Sequence, residues 1–371
     1  MCGRSVTPCG SLAPCAVRWT PPTWSRPAPD PAAAAGGRRP HDGCGARHRT
    51  GTVVPDQGSA RVPPTEGNVP VPVLLLDDDD VRARLDAATA VRAVREALLA
   101  AHHGTLDAPP RARAGLGDGD LVITAGRLRT RGLFGFRCYD TLVGAEQLVA
   151  VWGTEDGRLR AVVHGDELGP RRTGAIGAVA VDAAARPGPV RVGLVGAGPQ
   201  AWAQLWALCA VREVTEAVVV ARRQERAAAF ARRAAAELGV AARAVTAVRD
   251  AVADRDVVIV ATGSPTPVLD ADWLAPGTHL STLGPKSVAR REVPASLAER
   301  AGTVLTDSVA QSAGFPEPQL FPIDRLVPLG AVLAGAASAR TADDELTVFS
   351  SVGLAGTEVA VAAALCEAVP H

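Results

Sequence analysis

Three groups of residues in this sequence are equipped for chemistry. The first is Gly196-Ala-Gly198-Pro-Gln200-Ala201, which follows an apolar run over residues 190–195 and opens a stretch of helical character. Glycine at the first position permits a tight turn, and at the third it lets backbone approach a pyrophosphate. A small residue at the sixth allows close helix–strand packing. Pro199 suits a first helical turn, whose free N–H groups and dipole favour phosphate. The second group is Arg222-Arg223, at the end of the next apolar run. An acid at that end would bind a ribose 2′-hydroxyl. Glu216 has a suitable distance from the glycines but precedes the run, at the wrong end. Two guanidiniums with no carboxylate favour a 2′-phosphate, so NADP is the expected cofactor, with NAD possible. The third group is Lys286 and Tyr139. They are the single lysine among 39 Lys and Arg residues and the single tyrosine of the chain. Where composition replaces lysine by arginine almost everywhere, a survivor marks a position that needs its own chemistry.

These residues need elements to hold them. Residues 73–76 read as a strand, 77–85 as an acidic-started helix, and 88–102 as a helix with Val91, Val94 and Leu98 on one stripe. Strand-like runs follow at 121–124, 132–139, 148–152 and 159–163, the last two joined by a turn containing Asp156-Gly157. This is an antiparallel α+β segment. Residues 172–185 read as a small-residue helix. Strands and helices then alternate, with strands at 190–195, 217–221, 244–245, 256–261, 279–283 and 303–306. Gln224–Leu238 is the clearest helix, closed by Gly239. The strands are continuous apolar runs, as expected when both faces are covered. The fold class is therefore α/β: a Rossmann-type doubly wound parallel sheet plus an α+β substrate/dimerisation domain. The expected boundaries are a substrate/dimerisation domain over 69–185, completed by 325–371, and a dinucleotide-binding domain over 186–324. Residues 349–368 read as a turn and an apolar helix returning to the first domain, the parallel sheet being already complete.

Residues 1–68 differ from the rest. They hold 11 Pro and 9 Gly and only one Leu, Ile or Phe, which is Leu12. Such a segment buries too little to offset ordering entropy, so a disordered extension is expected, with a true start at a valine such as Val69 or Val73 left open. Charge is balanced at 39 basic and 39 acidic residues, which argues against a partner held by bulk positive charge such as nucleic acid. The seven cysteines contain no C-x-x-C pair, so no metal site is expected and the compartment is read as reducing and cytoplasmic. The longest charge-free stretch, 192–211, carries Gly193, Gly196, Gly198 and Pro199. It reads as strand, turn and helix rather than a membrane span.

From about residue 73 onward the chain resembles the ornithine cyclodeaminase/mu-crystallin family. The segments that carry the resemblance are Arg172-Thr-Gly-Ala175, Gly196–Ala201, Ala261-Thr-Gly-Ser-Pro-Thr-Pro267, Gly284 to Arg291-Glu292, and Phe349-Ser-Ser-Val-Gly-Leu-Ala355. The resemblance implies a homodimer and hydride transfer at the α-carbon of an amino or imino acid. It implies substrate-carboxylate ligands at Arg172 and Arg111, and cofactor contacts from Thr173, Thr262 and Ser264. Two positions depart from the family pattern. A Gly-x-Lys lysine corresponds to Arg137, which keeps the charge but cannot act as a base. An aspartate of the cyclodeaminases corresponds to Lys286. Tyr139 shares a strand face with Arg137 and would join this group. The leading reading is an NADP-dependent imine reductase or amino-acid dehydrogenase. Arg172, Arg137 and Arg111 would hold the carboxylate, and Lys286 or Tyr139 would manage the proton. The others are ornithine cyclodeaminase proper and a non-catalytic NADP-dependent ligand-binding protein.

Overall fold

A computed structural model describes residues 72–144 and 146–368. The extension expected over 1–68 lies outside the described residues. The chain opens with strand β1 (Leu74–Leu76) and helices α1 (Asp78–Arg84) and α2 (Ala87–His102). Short strands β2 (Leu106–Asp107) and β3 (Ala112–Gly115) follow, then β4 (Asp120–Leu128), β5 (Leu133–Asp140), β6 (Leu148–Gly153) and β7 (Leu159–His164). They form one sheet in the order β1-β7-β6-β5-β4-β2, with β3 also on β4. The sheet is mixed rather than antiparallel, because β1 pairs with β7 in parallel. The intervening helices carry the chain back to the start of the sheet, which permits that pairing. The β6–β7 hairpin stands where Asp156-Gly157 predicts it, and Gly157 takes a φ of 65° there.

Helix α3 (Gly165–Ala184) crosses between the two sheets in sequence. It begins seven residues ahead of the expected start at residue 172, because Pro170 falls inside it rather than at its first turn. The second sheet alternates strands and helices: β8 (Val190–Val195), α4 (Pro199–Leu208), β9 (Val214–Val220), α5 (Gln224–Leu238), β10 (Ala242–Ala244), α6 (Val248–Val252) and β11 (Val257–Val260). Then come β12 (His279–Thr282), α7 (Ser296–Arg300), β13 (Thr303–Thr306), α8 (Val309–Ala313), β14 (Leu326–Pro328), α9 (Leu329–Leu333), β15 (Thr347–Ser350) and α10 (Thr357–Glu367). All eight strands are parallel, in the order β10-β9-β8-β11-β12-β15-β13-β14. Their apolar character has the expected cause. Val192, Leu194, Val257 and Ile259 pack into one core, while Val195, Val258 and Val260 pack into another on the opposite face. Helix α5 has the predicted bounds and ends on Gly239 at φ 68°.

Two expectations are corrected. Glu216 lies inside β9, not before it, and bonds Arg243 and Arg255, so it is far from the strand's C-terminal end and already paired. The parallel sheet is not complete at residue 306. Strands β14 and β15 belong to it, and β15 inserts between β12 and β13, so residues 325–371 do not all return to the first domain. The strand was missed because it is four residues long and enters out of chain order, after β13 and β14. Two helices return: α9 packs on α2 and α3, and α10 packs on α2, α3 and strands β4 to β7. The segment over 351–356 therefore runs from the carboxyl edge of the parallel sheet to the other sheet, and a site between them is shaped by both.

Candidate active site

The turn between β8 and α4 is built as its glycines require. Gly196 has φ 115°, and a Cβ there would lie 2.3 Å from the Ala261 carbonyl oxygen, so both conformation and space exclude a side chain. A Cβ on Gly198 would meet nothing within 4 Å. The protein itself does not need glycine there, whereas a ligand against that backbone would. Pro199 is at the first helical turn, and Ala201 is buried beneath the turn at 1% exposure. A cavity of about 700 Å³ opens over this turn, lined by Gly196, Gly198, Arg222, Arg223, Thr262 and Ser264, and also by Arg226. Arg226, which the sequence does not single out, is in the first turn of α5, four residues after Arg222. These features fit a dinucleotide: a phosphate-sized opening at a helix N-terminus, a ribose end rich in guanidinium, and no carboxylate lining it.

A second cleft of about 850 Å³ brings together Arg111, Arg137, Tyr139, Arg172, Thr173, Gln200 and Lys286. Helices α3 and α4 couple it to the dinucleotide turn. They approach closely at Gly174, where a Cβ would lie 2.1 Å from the Ala203 carbonyl oxygen. Gln204 donates to the Thr173 carbonyl at 3.0 Å, and Thr173 donates its hydroxyl to the Gly169 carbonyl at 3.0 Å. Gln200 Oε1 is buried with no donor among the described residues, so a ligand donor would complete it.

The arginines converge at the segment after β15. Gly353 has φ 83°, and a Cβ there would lie 2.7 Å from Arg111 Nη2 and 3.0 Å from Arg172 Nη1. Asp307, following β13, holds this segment by accepting from the N–H groups of Val352 at 2.9 Å, Gly353 at 2.7 Å and Leu354 at 3.2 Å. Arg111 donates to the Val352 carbonyl, and its backbone N–H donates to Gln311 Oε1 at 3.1 Å. It is therefore a half-buried cleft residue rather than a surface one. The Nε atoms of Arg111 and Arg172 are buried without acceptors among the described residues.

Glu358 of α10 is a site residue that the sequence did not reveal. It is 2% exposed, accepts from Arg172 Nη2, and lies 3.7 Å from Arg137 Nη1. Removing these charges from water requires such a counter-charge. The signal available was an acid at the start of an otherwise apolar helix. Arg137 also donates to Gln147 Oε1 from Nε at 3.1 Å and stacks over the Tyr139 ring at 4.6 Å. Desolvation, with the Arg172 guanidinium beside it, pulls Arg137 below the ordinary arginine range, against the attraction of Glu358.

Lys286 occupies the turn after β12 and is half-buried. Its ammonium donates to the carbonyls of Gly284 at 2.7 Å and Leu283 at 3.2 Å. Burial lowers its pKa to about 8, Glu292 and Asp307 act in the opposite direction, and Arg111 adds to the lowering. Glu292, fully buried, shapes this turn. One carboxylate oxygen accepts from Thr282 Oγ1 and from the N–H groups of Leu283 and Gly284, the other from the N–H and hydroxyl of Thr262. The Thr262 hydroxyl therefore pins its own loop rather than standing free for a ligand. Ser264 does likewise, donating to the Thr266 carbonyl at 2.6 Å.

The family model for the ornithine cyclodeaminase/mu-crystallin family matches residues 73–370. The chain belongs to that family. Among individual members, it is 28% identical to a protein named alanine dehydrogenase from Archaeoglobus fulgidus, over 79% of this chain and 94% of the relative. The solved structure of a probable ornithine cyclodeaminase from Bordetella pertussis Tohama I superposes with a TM-score of 0.73 at 27% identity, covering 80% of this chain and 97% of that one. The iminosuccinate reductase of Paracoccus denitrificans, solved with NAD⁺, superposes with a TM-score of 0.71 at 25% identity, covering 80% and 96%. Family members thus share the doubly wound sheet and its companion sheet, and their names divide between reductases, dehydrogenases and cyclodeaminases.

Proposed function

We propose that this chain is an NADP-dependent imine reductase or amino-acid dehydrogenase, acting at the α-carbon of an imino or amino acid. Family membership across residues 73–370 and the dinucleotide cradle make it an NAD(P)-dependent oxidoreductase. The observation that carries the substrate class is the convergence of Arg111 and Arg172 on Gly353 with buried guanidinium N–H groups left unbonded. A planar carboxylate satisfies such donors bidentately and fixes the adjacent α-carbon. A reduced nicotinamide, when bound, supplies a hydride to an adjacent electrophilic carbon. Gly196, Gly198 and the α4 N-terminus would hold its pyrophosphate, and Arg222 and Arg223 a 2′-phosphate. Thr173 on α3 and Gln200 on α4 line the second cleft, Gln200 two residues from the Gly198 that lines the dinucleotide cavity. Lys286, lowered to about 8, supplies the proton to the imine nitrogen. Tyr139 and Arg137, on β5, line the same cleft.

The cationic wall speaks against ornithine cyclisation. Lys286 would face the ammonium side chain of ornithine with like charge, at the position where the resembling cyclodeaminases carry an acid. A pure binder needs no desolvated proton donor in the cleft. We further assign a homodimer through the outer face of the first sheet. There Phe134, Trp152 and Phe136 stack with ring centroids 5.7 and 5.6 Å apart while Phe134 stays 39% exposed and Leu75 75% exposed. Cys138, Cys209 and Cys366 are free thiols, which supports a reducing, cytoplasmic setting. The function is tested by following NADPH oxidation with a 2-oxo acid and ammonium. Turnover that needs both supports the reading, and turnover with neither ammonium nor a preformed cyclic imine rejects it. Light scattering on Phe134→Glu tests the dimer, which should dissociate; an unchanged mass contradicts this interface.

A further inference from the structure

We infer that Glu292 is a positioning residue for Lys286: its buried carboxylate fixes the turn that carries the lysine and supplies the ammonium's counter-charge through a shared peptide group. The proton-donating role of Lys286 rests on the functional reading above. The geometry centres on the peptide that joins Leu283 to Gly284. Its N–H, from Gly284, donates to Glu292 Oε1 at 2.6 Å, and its carbonyl, from Leu283, accepts from Lys286 Nζ at 3.2 Å. The positive end of this peptide dipole faces the carboxylate and the negative end faces the ammonium. Hydrogen bonds linked in this way polarise one another, most effectively where water is excluded. A second pair flanks the first: the Leu283 N–H donates to Glu292 Oε1 at 2.9 Å, and the Gly284 carbonyl accepts from Lys286 at 2.7 Å. The other carboxylate oxygen accepts from the N–H and the hydroxyl of Thr262, each at 2.8 Å, and Thr262 lines the dinucleotide cavity. The backbone closes the arrangement, with the Glu292 N–H on the Pro285 carbonyl and the Val268 N–H on the Glu292 carbonyl, both at 2.9 Å. Only glycine fits at 284, where a Cβ would lie 2.5 Å from Glu292 Oε2 and 2.1 Å from the Thr262 carbonyl oxygen.

The charge matters because of what else surrounds the lysine. Burial drives it toward the neutral form, and Arg111 adds to that. Arg290 lies on the same turn, and Arg113, Arg137, Arg172 and Tyr139 line the cleft from β3, β5 and α3. The acids on those walls are engaged: Asp120 pairs with Arg113, and Glu358 with Arg172 and Arg137. Glu317 lines the cleft as well. Two buried acids favour the ammonium, Glu292 first and Asp307 second. Asp307 is bonded to the N–H groups of Val352, Gly353 and Leu354, on a different segment. Glu292 alone joins the lysine's own carbonyl partners, so it governs both where the ammonium stands and how long it stays charged as pH rises.

Lys286 is the single lysine of the chain, so full-length protein labelled with carbon-13 at the lysine ε-carbon gives one side-chain signal that reads this group directly. In Glu292→Gln its midpoint should fall from about 8 by about one pH unit, because the charge that holds it up is gone. The alkaline limb of kcat should move to lower pH by the same amount, with NADPH affinity changed less than kcat. Glu292→Asp, which keeps the charge, should hold midpoint and limb near their native positions even where kcat falls. An unmoved lysine midpoint in the folded Gln variant overturns the proposal. An equal shift in the Gln and Asp variants overturns it too, since that marks repacking rather than charge. If the Gln variant does not fold, the wild-type chain decides: the Gly284 amide signal should titrate with the lysine's midpoint, and a signal flat across that midpoint overturns the proposal. Wild-type protein that oxidises no NADPH with any 2-oxo acid and ammonium rejects the functional reading, while the lysine signal still tests Glu292.

Discussion

At the scale of single residues, the site is a set of arginines with one lysine, and the lysine is the group able to change protonation state near neutrality. Arginine stays charged at any accessible pH. Lys286, with a pKa of about 8, is protonated below that value and neutral above it. If it donates the proton, kcat for reduction should be flat below pH 8 and fall as pH rises through about 8. Lys286→Arg keeps the charge and removes the accessible proton. Turnover should drop by roughly 10²–10⁴ with NADPH affinity little changed, and the alkaline limb should vanish. A variant with native turnover and the native pH profile would leave Lys286 a purely structural role. The sequence exposed Lys286 and Tyr139 because their residue types are scarce. It marks Glu292 only as part of a family segment, with no role, and does not expose Asp307 or Glu358, because one acid among many carries no mark. Their meaning comes from burial, and burial of these three is decided by segments that meet only in the folded chain.

At the scale of elements, the legible parts were those in which local pattern and tertiary environment agree. The β8–α4 turn, the α5 helix with its Gly239 cap and the β6–β7 hairpin are fixed by neighbours in sequence. Strand β15 and the mixed pairing of β1 with β7 depend on partners far along the chain, so periodicity was silent about them. The small residues of α3 were legible as helix, but their purpose, the close approach of α3 to α4, required the partner helix. The end of β9 carries the prediction for cofactor choice. Arg222 and Arg223 line the cavity, and the β9 carboxylate Glu216 is committed to Arg243 and Arg255. Replacing both arginines by Ala should weaken NADPH much more than NADH, each lost charge-assisted bond being worth roughly 1.5–3 kcal/mol before screening at this exposed site. Isothermal titration with both cofactors checks this, and an equal loss for the two would refute the assignment.

At the scale of the whole molecule, the candidate cleft lies at the carboxyl edge of the parallel sheet, and buried polar groups are packed at the opposite edge. His279 begins β12 there, fully buried between Thr347 Oγ1 at 2.9 Å and Ser281 Oγ at 3.3 Å. Desolvation, with Arg340 nearby, lowers its pKa to about 3. The unfolded chain titrates this group near 6.5, so below that pH the unfolded state binds the extra proton first. The stability contributed by neutral His279 is complete above about pH 6.5. It should decline by up to about 1.4 kcal/mol per pH unit as pH falls toward 3. Urea midpoints between roughly pH 7 and 4, compared with those of His279→Gln, should show a shallower slope in the variant. Parallel slopes would assign the acid lability elsewhere.

The central claim is that this fold carries hydride to an α-carbon held between Arg111 and Arg172. The direct measurement uses NADPH deuterated at the transferring position of the nicotinamide, with a 2-oxo acid and ammonium, and locates the label in the product by mass spectrometry and proton NMR. The account predicts an amino acid carrying one deuteron at its α-carbon, formed only when ammonium is present. A labelled 2-hydroxy acid, or an amino acid without the label, would contradict it.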